Sequence, residues 1–89
     1  RKQEAAERQR RANARRPLQS RLKRMEQELA KVSDELRELD ARLADPDFYH
    51  AGDEAVVAET LKRRGELSRQ VETLEGQWLE LTQELEAME

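Results

Sequence analysis

The sequence predicts an all-α protein, an antiparallel two-helix coiled-coil hairpin with a short helical turn at its tip. Three observations predict it: two stretches with a seven-residue apolar repeat, a single break between them, and a composition with 42% charged and 3% aromatic residues. An apolar period of about 3.5 residues places a narrow seam along a helix, and such a seam requires a partner helix. Since the break lies near the middle of the 89 residues, the two halves can pair with each other.

Helix one is predicted over residues 18–44. Its apolar residues follow an unbroken spacing of four and three, at Leu18, Leu22, Met25, Leu29, Val32, Leu36, Leu39 and Leu43. Pro17 precedes this run. Because proline lacks a backbone donor and disfavours the helical conformation of the residue before it, a kink or a helix restart is expected there.

A turn is predicted over residues 45–53. Asp45 precedes a proline, a pair typical of an N-cap and first helical position, so a single helical turn is expected to follow it. The aromatic residues of this turn, Phe48 and Tyr49, are expected to pack back over Leu43, Val56 and Val57 and close the tip; the alternative is an exposed aromatic docking site. Gly52 permits the turn, and Asp53 is expected to cap helix two.

Helix two is predicted over residues 54–88. It resumes the seven-residue repeat at Leu67, Val71, Leu74, Trp78, Leu81, Leu85 and Met88. The repeat slips by one residue between Leu61 and Leu67, which predicts a local packing defect or a hinge near Gly65.

The two apolar repeats also predict the register of the hairpin. Apolar residues face one another when the numbers of facing residues add to about 100, which places Leu29 opposite Val71 and Leu39 opposite Leu61. An alternative is that the seams of two chains pair with each other. The match within one chain favours a monomer.

Charge divides the chain unequally. Residues 1–24 carry ten Lys/Arg and two acids, whereas the other 65 residues carry seven Lys/Arg and eighteen acids. Residues 1–16 are predicted to form a basic, helical or partly disordered lead-in that links a preceding domain to the hairpin at 17–89. The tip, residues 34–59, holds nine acids and two arginines and is a poor ligand for phosphate; a basic protein surface suits it better.

The basic lead-in contains the candidate nucleic-acid contacts, which are Arg1, Lys2, Arg8, Arg10, Arg11, Arg15 and Arg16. Clustered Lys/Arg side chains bind phosphates without reading base sequence. Arg8, Arg11 and Arg15 fall on one helical face. The alternative is that this charge pairs with residues 72–89, which contain six glutamates and no Lys or Arg.

The motifs of catalysis, cofactor binding and metal binding are missing from the sequence. There is no cysteine, no glycine-rich phosphate loop and no GxSxG motif, and His50 is the only histidine. We therefore expect no enzyme activity, no cofactor and no metal. No apolar stretch is long enough to span a membrane, and a cytoplasmic location is expected.

Two stretches resemble a known family. LRELDARLADPDFY at 36–49 and LEGQWLELTQELEAM in helix two are similar to the C-terminal coiled-coil domain of ABC-F ATPases of the Uup and YheS branches. The matching positions are Leu43, Asp45, Phe48, Tyr49, Trp78, Leu79, Glu80 and Leu85.

The resemblance implies a non-catalytic accessory domain of an ATPase whose nucleotide-binding domains are absent from this chain. It also implies contact with the ribosome and its RNA, or with DNA, through the basic end. The alternative left open by the residues is a structural hairpin or spacer that binds protein and no nucleic acid.

Overall fold

The computed structural model describes residues 1–51 and 53–89, and it has the predicted hairpin architecture. Helix α1 spans Lys2–Ala44, the short helix α2 spans Pro46–Ala51, and helix α3 spans Glu54–Ala87. α1 and α3 pack along each other in opposite directions, and the molecule measures 72 × 16 × 14 Å. The predicted turn-forming residue Gly52 lies outside the described residues.

Helix α1 runs without interruption through Pro17, so the predicted helix restart is wrong. Proline removes one hydrogen bond, the one that the carbonyl of Asn13 would accept from residue 17. Residues with high helix propensity lie on both sides of Pro17. One turn earlier, the side chain of Gln9 donates a hydrogen bond of 3.0 Å to the side chain of Asn13, which also supports the helix. The helix therefore begins at Lys2 rather than at residue 18, while the division of the chain into a lead-in and a hairpin stays a prediction.

The core is a single row of side chains between α1 and α3. Its most buried members are Val32, Leu39, Leu67, Leu81 and Leu85, each no more than 8% exposed. Leu36, Val71 and Leu74 pack against the central part of this row. These residues all belong to the predicted seam, which confirms the seven-residue repeat as the basis of the fold.

The predicted slip in helix two is wrong, because a polar residue takes a seam position. Thr60 is 8% exposed, whereas Leu61, expected opposite Leu39, is 48% exposed. Stepping back from Leu67 by three and four residues gives Arg64, Thr60 and Val57, so the repeat continues unbroken. The hydroxyl of Thr60 donates to the carbonyl of Val56 at 2.8 Å, which satisfies it inside the seam.

Arg64 occupies the next seam position by placing its charge outside. The residue is half-buried, and its Nε donates to Asp40 Oδ1 of α1 at 2.8 Å. A long aliphatic stem lets arginine lie along an apolar surface while its guanidinium reaches solvent or a partner. Gly65 therefore marks no interruption of α3, which continues through it.

Contacts between α1 and α3 confirm the register. The pairs are Arg15 with Glu89, Glu26 with Trp78, Glu28 with Gln70, Glu35 with Arg63, and Asp40 with Arg64. Residue numbers within each pair add to about 100, as the apolar repeats predict.

The tip is capped as predicted but is less closed than predicted. Asp45 accepts a hydrogen bond from the Asp47 amide and Asp53 from the Ala55 amide, both at 3.0 Å. Phe48 is half-buried and contacts Tyr49 edge to face, with ring centroids 6.1 Å apart. Tyr49 is 47% exposed, so the prediction that both rings pack back over the seam is wrong for Tyr49.

The same substitution at two leucines tests the corrected seam. Leu67→Ala should lower the free energy of unfolding by about 2–5 kcal/mol, because a buried side chain is lost and leaves a cavity. Leu61→Ala should change it by about 0.5 kcal/mol, as is usual for an exposed position. Urea denaturation followed by circular dichroism measures both. Equal losses would place Leu61 in the seam and contradict the structure.

Candidate nucleic-acid interface

The basic end of α1 extends beyond the end of its partner helix. A shallow depression is lined by Arg8, Arg11, Ala12 and Arg15 of α1 together with Met88 and Glu89, which places the last two residues beside this stretch of α1. Residues 1–11 extend past Ala87, the last residue of α3, and of these Glu7, Arg10 and Arg11 still lie beside Met88. At 1.5 Å per residue, this basic overhang, residues 1–11, is about 16 Å long.

The seam of α1 changes from leucine to arginine between Leu18 and Arg15. Stepping back from Leu18 by three and four residues gives Arg15, Arg11, Arg8, Glu4 and Arg1. The helical face that carries leucines where α3 covers it carries mainly arginines where α3 has ended. The structure thereby brings four of the seven candidate residues into one stripe.

The remaining candidates lie on other faces of the same helix. Lys2, Arg10 and Arg16 are exposed and do not belong to the seam positions. Arg1 precedes the first helical residue, and its carbonyl accepts from the amide of Ala5 at 3.0 Å. The overhang is thus surrounded by cations rather than carrying them on one side only.

Arg15 differs from the other six candidates because it belongs to the covered part of the hairpin. Its side chain is 32% exposed and its guanidinium lies 3.5 Å from Glu89. Its Nε is buried and has no hydrogen-bond partner among the described residues. Arg15 lies three residues before Leu18, so the apolar repeat, continued by one step, places Arg15 in the seam. The partial burial of Arg15 can therefore be predicted from the spacing of the seam but not from the distribution of charge.

The other six candidates, Arg1, Lys2, Arg8, Arg10, Arg11 and Arg16, are exposed. None of the six forms an ion pair within the described parts of the chain. Acidic side chains are nonetheless close: Glu4 and Glu7 share a surface depression with Arg8 and Arg11. The overhang keeps an excess of positive charge, because these are its only two acids.

Comparison with known protein families assigns the hairpin. Residues 14–89 match the family described as the ABC transporter C-terminal domain. The chain belongs to this family. The match confirms the resemblance predicted from the turn and from the second helix, and it makes the chain an accessory domain of a larger ABC protein. No curated protein and no solved structure matches it.

The range that matches the family contains only some of the candidate nucleic-acid contacts. Arg15 and Arg16 fall inside the matched range, whereas Arg1, Lys2, Arg8, Arg10 and Arg11 precede it. The basic overhang is therefore a feature of this chain outside the part that matches the family.

The described residues, 1–51 and 53–89, hold neither a candidate membrane span nor a candidate metal site. None of their helices is both long enough and apolar enough to cross a bilayer. They also contain no group of three or more metal-ligating side chains.

The half-buried position of Arg15 predicts that leucine stabilises the hairpin there. Arg15→Leu should raise the free energy of unfolding by about 1 kcal/mol, because it adds apolar area beside Met88 and removes an unpartnered buried nitrogen. Arg16→Leu is the matched control, since this neighbouring arginine is exposed and lies off the seam, and should change stability by no more than about 0.5 kcal/mol. Thermal and urea denaturation measure both. Destabilisation by Arg15→Leu would show that the pair with Glu89 outweighs burial.

Proposed function

We propose that this ABC transporter C-terminal domain is a non-catalytic accessory domain that binds the phosphate backbone of nucleic acid through its basic overhang. The observation that carries the proposal is the change of the α1 seam from leucine to arginine at the point where α3 ends. An arginine stripe that faced α3 would be buried against apolar side chains; beyond α3 it is free to face a polyanion.

The distribution of charge supports phosphate binding at the basic end and not at the tip. Residues 1–16 carry seven cations and two acids, whereas the tip at 34–59 carries nine acids and two cations. Along a rod 72 Å long, these ends lie far beyond the screening length of about 10 Å at 0.1 M salt. The acidic tip therefore does not cancel the attraction of the overhang for phosphate.

Contacts of this kind read charge and not base sequence. The proposed contacts are Arg1, Lys2, Arg8, Arg10, Arg11 and Arg16, with Arg15 joining them only when it leaves Glu89. Rigid helical presentation keeps the guanidinium groups at spacings set by the helix, which lowers the ordering cost of multivalent binding.

The resemblance to ABC-F ATPases suggests the biological polyanion. We propose that the parent protein is such an ATPase, that the domain contacts ribosomal RNA on the ribosome or DNA in the cytoplasm, and that the nucleotide-binding domains lie elsewhere in the parent. The overhang would then act as a charged arm on a rigid spacer.

The test is fluorescence anisotropy with labelled duplex DNA, single-stranded DNA and a structured ribosomal RNA fragment, each over a range of salt. We expect binding that weakens steeply with salt, by a logarithmic slope of about 0.9 per duplex phosphate contacted. Arg8→Gln, Arg10→Gln and Arg11→Gln together should lower that slope by about 2–3 and weaken binding to every ligand.

A matched triple variant controls for net charge. Lys23→Gln, Arg24→Gln and Lys31→Gln remove the same three charges from exposed positions on the covered part of α1. This control should retain most of the affinity. Equal losses in the two triples, or no binding by the unaltered chain at low salt, would refute the proposal.

The alternative function, a structural hairpin that binds protein only, is favoured by one observation. Arg15 pairs with Glu89, and Arg63 and Arg64 also form ion pairs across the helices. On that alternative the basic end exists to pair with the glutamates of α3.

Neutralising three of these glutamates separates the two functions. If the charges serve pairing, Glu80→Gln, Glu84→Gln and Glu86→Gln together should lower the melting temperature. If the arginines serve a polyanion, the same variant should bind nucleic acid more tightly with little change in melting temperature, because nearby negative charge is removed. Differential scanning calorimetry and anisotropy on the same samples give both answers.

A further inference from the structure

One flank of the hairpin carries an open groove between α1 and α3. Its apolar lining comes from Leu29 and Ala30 of α1 and from Gly76, Trp78 and Leu79 of α3. This Gly76 groove lies in the middle of the α1–α3 contact, away from the basic overhang and away from the tip. Its lining is more apolar than that of the depressions at the basic end of α1.

Small residues create the groove. Ala30 supplies little side chain, and a Cβ added to Gly76 would have no atom within 4 Å. Gly76 therefore costs helix stability without being required by any contact inside this chain. Leu79 beside it is 52% exposed. An exposed leucine next to a glycine-made gap is an arrangement that a second side chain could fill.

The charges around the groove are unbalanced. Glu26, Glu72 and Glu75 line it, and no Lys or Arg does. None of the three carboxylates forms an ion pair within the described residues; Glu26 accepts only a hydrogen bond of 3.4 Å from the Trp78 indole. Glu26 of α1 and Glu75 of α3 line the same groove, so like charges from the two helices share it, which is unfavourable in a coiled coil.

Other contacts between the two helices are complementary. Arg63 of α3 lies 3.1 Å from Glu35 of α1, and Gln70 donates to Glu28 at 3.5 Å. The helices are therefore able to satisfy each other where pairing is the only requirement. The Gly76 groove differs from these contacts in three ways: its carboxylates have no basic partner among the lining residues, Leu79 is exposed, and the space beside Gly76 is unfilled.

We propose that the Gly76 groove binds a basic amphipathic helix of a protein partner. An apolar face of leucine-sized side chains would pack on Leu29, Gly76 and Leu79, and flanking Lys or Arg side chains would pair with Glu26, Glu72 and Glu75. The chain's own overhang is a poor occupant, because residues 1–16 are basic but contain no apolar side chain larger than alanine.

Filling the groove tests the proposal without threatening the fold. Gly76→Leu places a side chain in open space and replaces glycine by a strong helix former, so the melting temperature should stay equal or rise. The probe is a labelled helical peptide of about 18 residues built from leucine and lysine, with leucine at every a and d position. Gly76→Leu should weaken its binding at least about tenfold.

Charge is tested by two matched double variants. Glu72→Gln with Glu75→Gln should weaken peptide binding and reduce its salt dependence. Glu80→Gln with Glu84→Gln removes the same charge from residues that do not line the groove and should leave binding nearly unchanged. A peptide with glutamate in place of lysine should not bind.

Three outcomes would overturn the proposal. They are absence of binding by the leucine–lysine peptide, equal binding by the unaltered chain and Gly76→Leu, and equal effects of the two double variants. Sedimentation of the unaltered chain supplies a fourth. A dimer that Gly76→Leu converts to a monomer would show that a second copy occupies the groove instead. Because nucleic-acid binding is measured with a different ligand and different residues, either proposal can fail alone.

Discussion

Mutual burial of two narrow apolar seams is the interaction on which this structure depends. Each helix is too polar to be buried on more than one face, and residues 1–51 and 53–89 contain no third layer that covers a second face. The row from Val32 and Leu39 to Leu67, Leu81 and Leu85 therefore supplies the core, and everything else is arranged relative to it. A molecule 72 Å long and about 15 Å across follows directly.

The seam also shows how far polar residues are tolerated in such a core. Thr60 is buried because its hydroxyl bonds to its own helix. Arg64 and Arg15 are only half-buried, since the charge of Arg64 reaches Asp40 and that of Arg15 lies beside Glu89. These residues contribute less apolar burial than leucine would. Arg64 and Arg15 also fix the register, since each finds its partner on the other side of the hairpin at one alignment of the helices.

A length mismatch between the helices separates the possible functions in space. α1 has 43 residues and α3 has 34, so the basic end of α1 extends past the last described residue of α3. The proposed polyanion contact uses that uncovered end. The proposed protein-binding groove uses the flank of the covered part and has the opposite charge. A single rod could thus hold a nucleic acid at one place and a basic helix at another without competition between them.

Much of this fold was determined by the sequence itself, because the spacing of apolar residues along a helix directly sets which face is buried. The hairpin, the register, the two aspartate caps and the buried leucines are all available from that spacing and from the turn residues. The seven candidate cations are visible in the same way, since charge is a property of the residue alone.

Tertiary structure decided the points at which local signals conflicted. Pro17 opposes a helix locally, yet one lost hydrogen bond does not end a helix of 43 residues. Leu61 is more apolar than Thr60, but the phase of the pairing set by Leu67 placed Thr60 inside and Leu61 outside. The partial burial of Arg15 and the open space beside Gly76 depend on where the partner helix ends and on which side chains it places there. Such features belong to a pair of helices, and neither helix carries them alone.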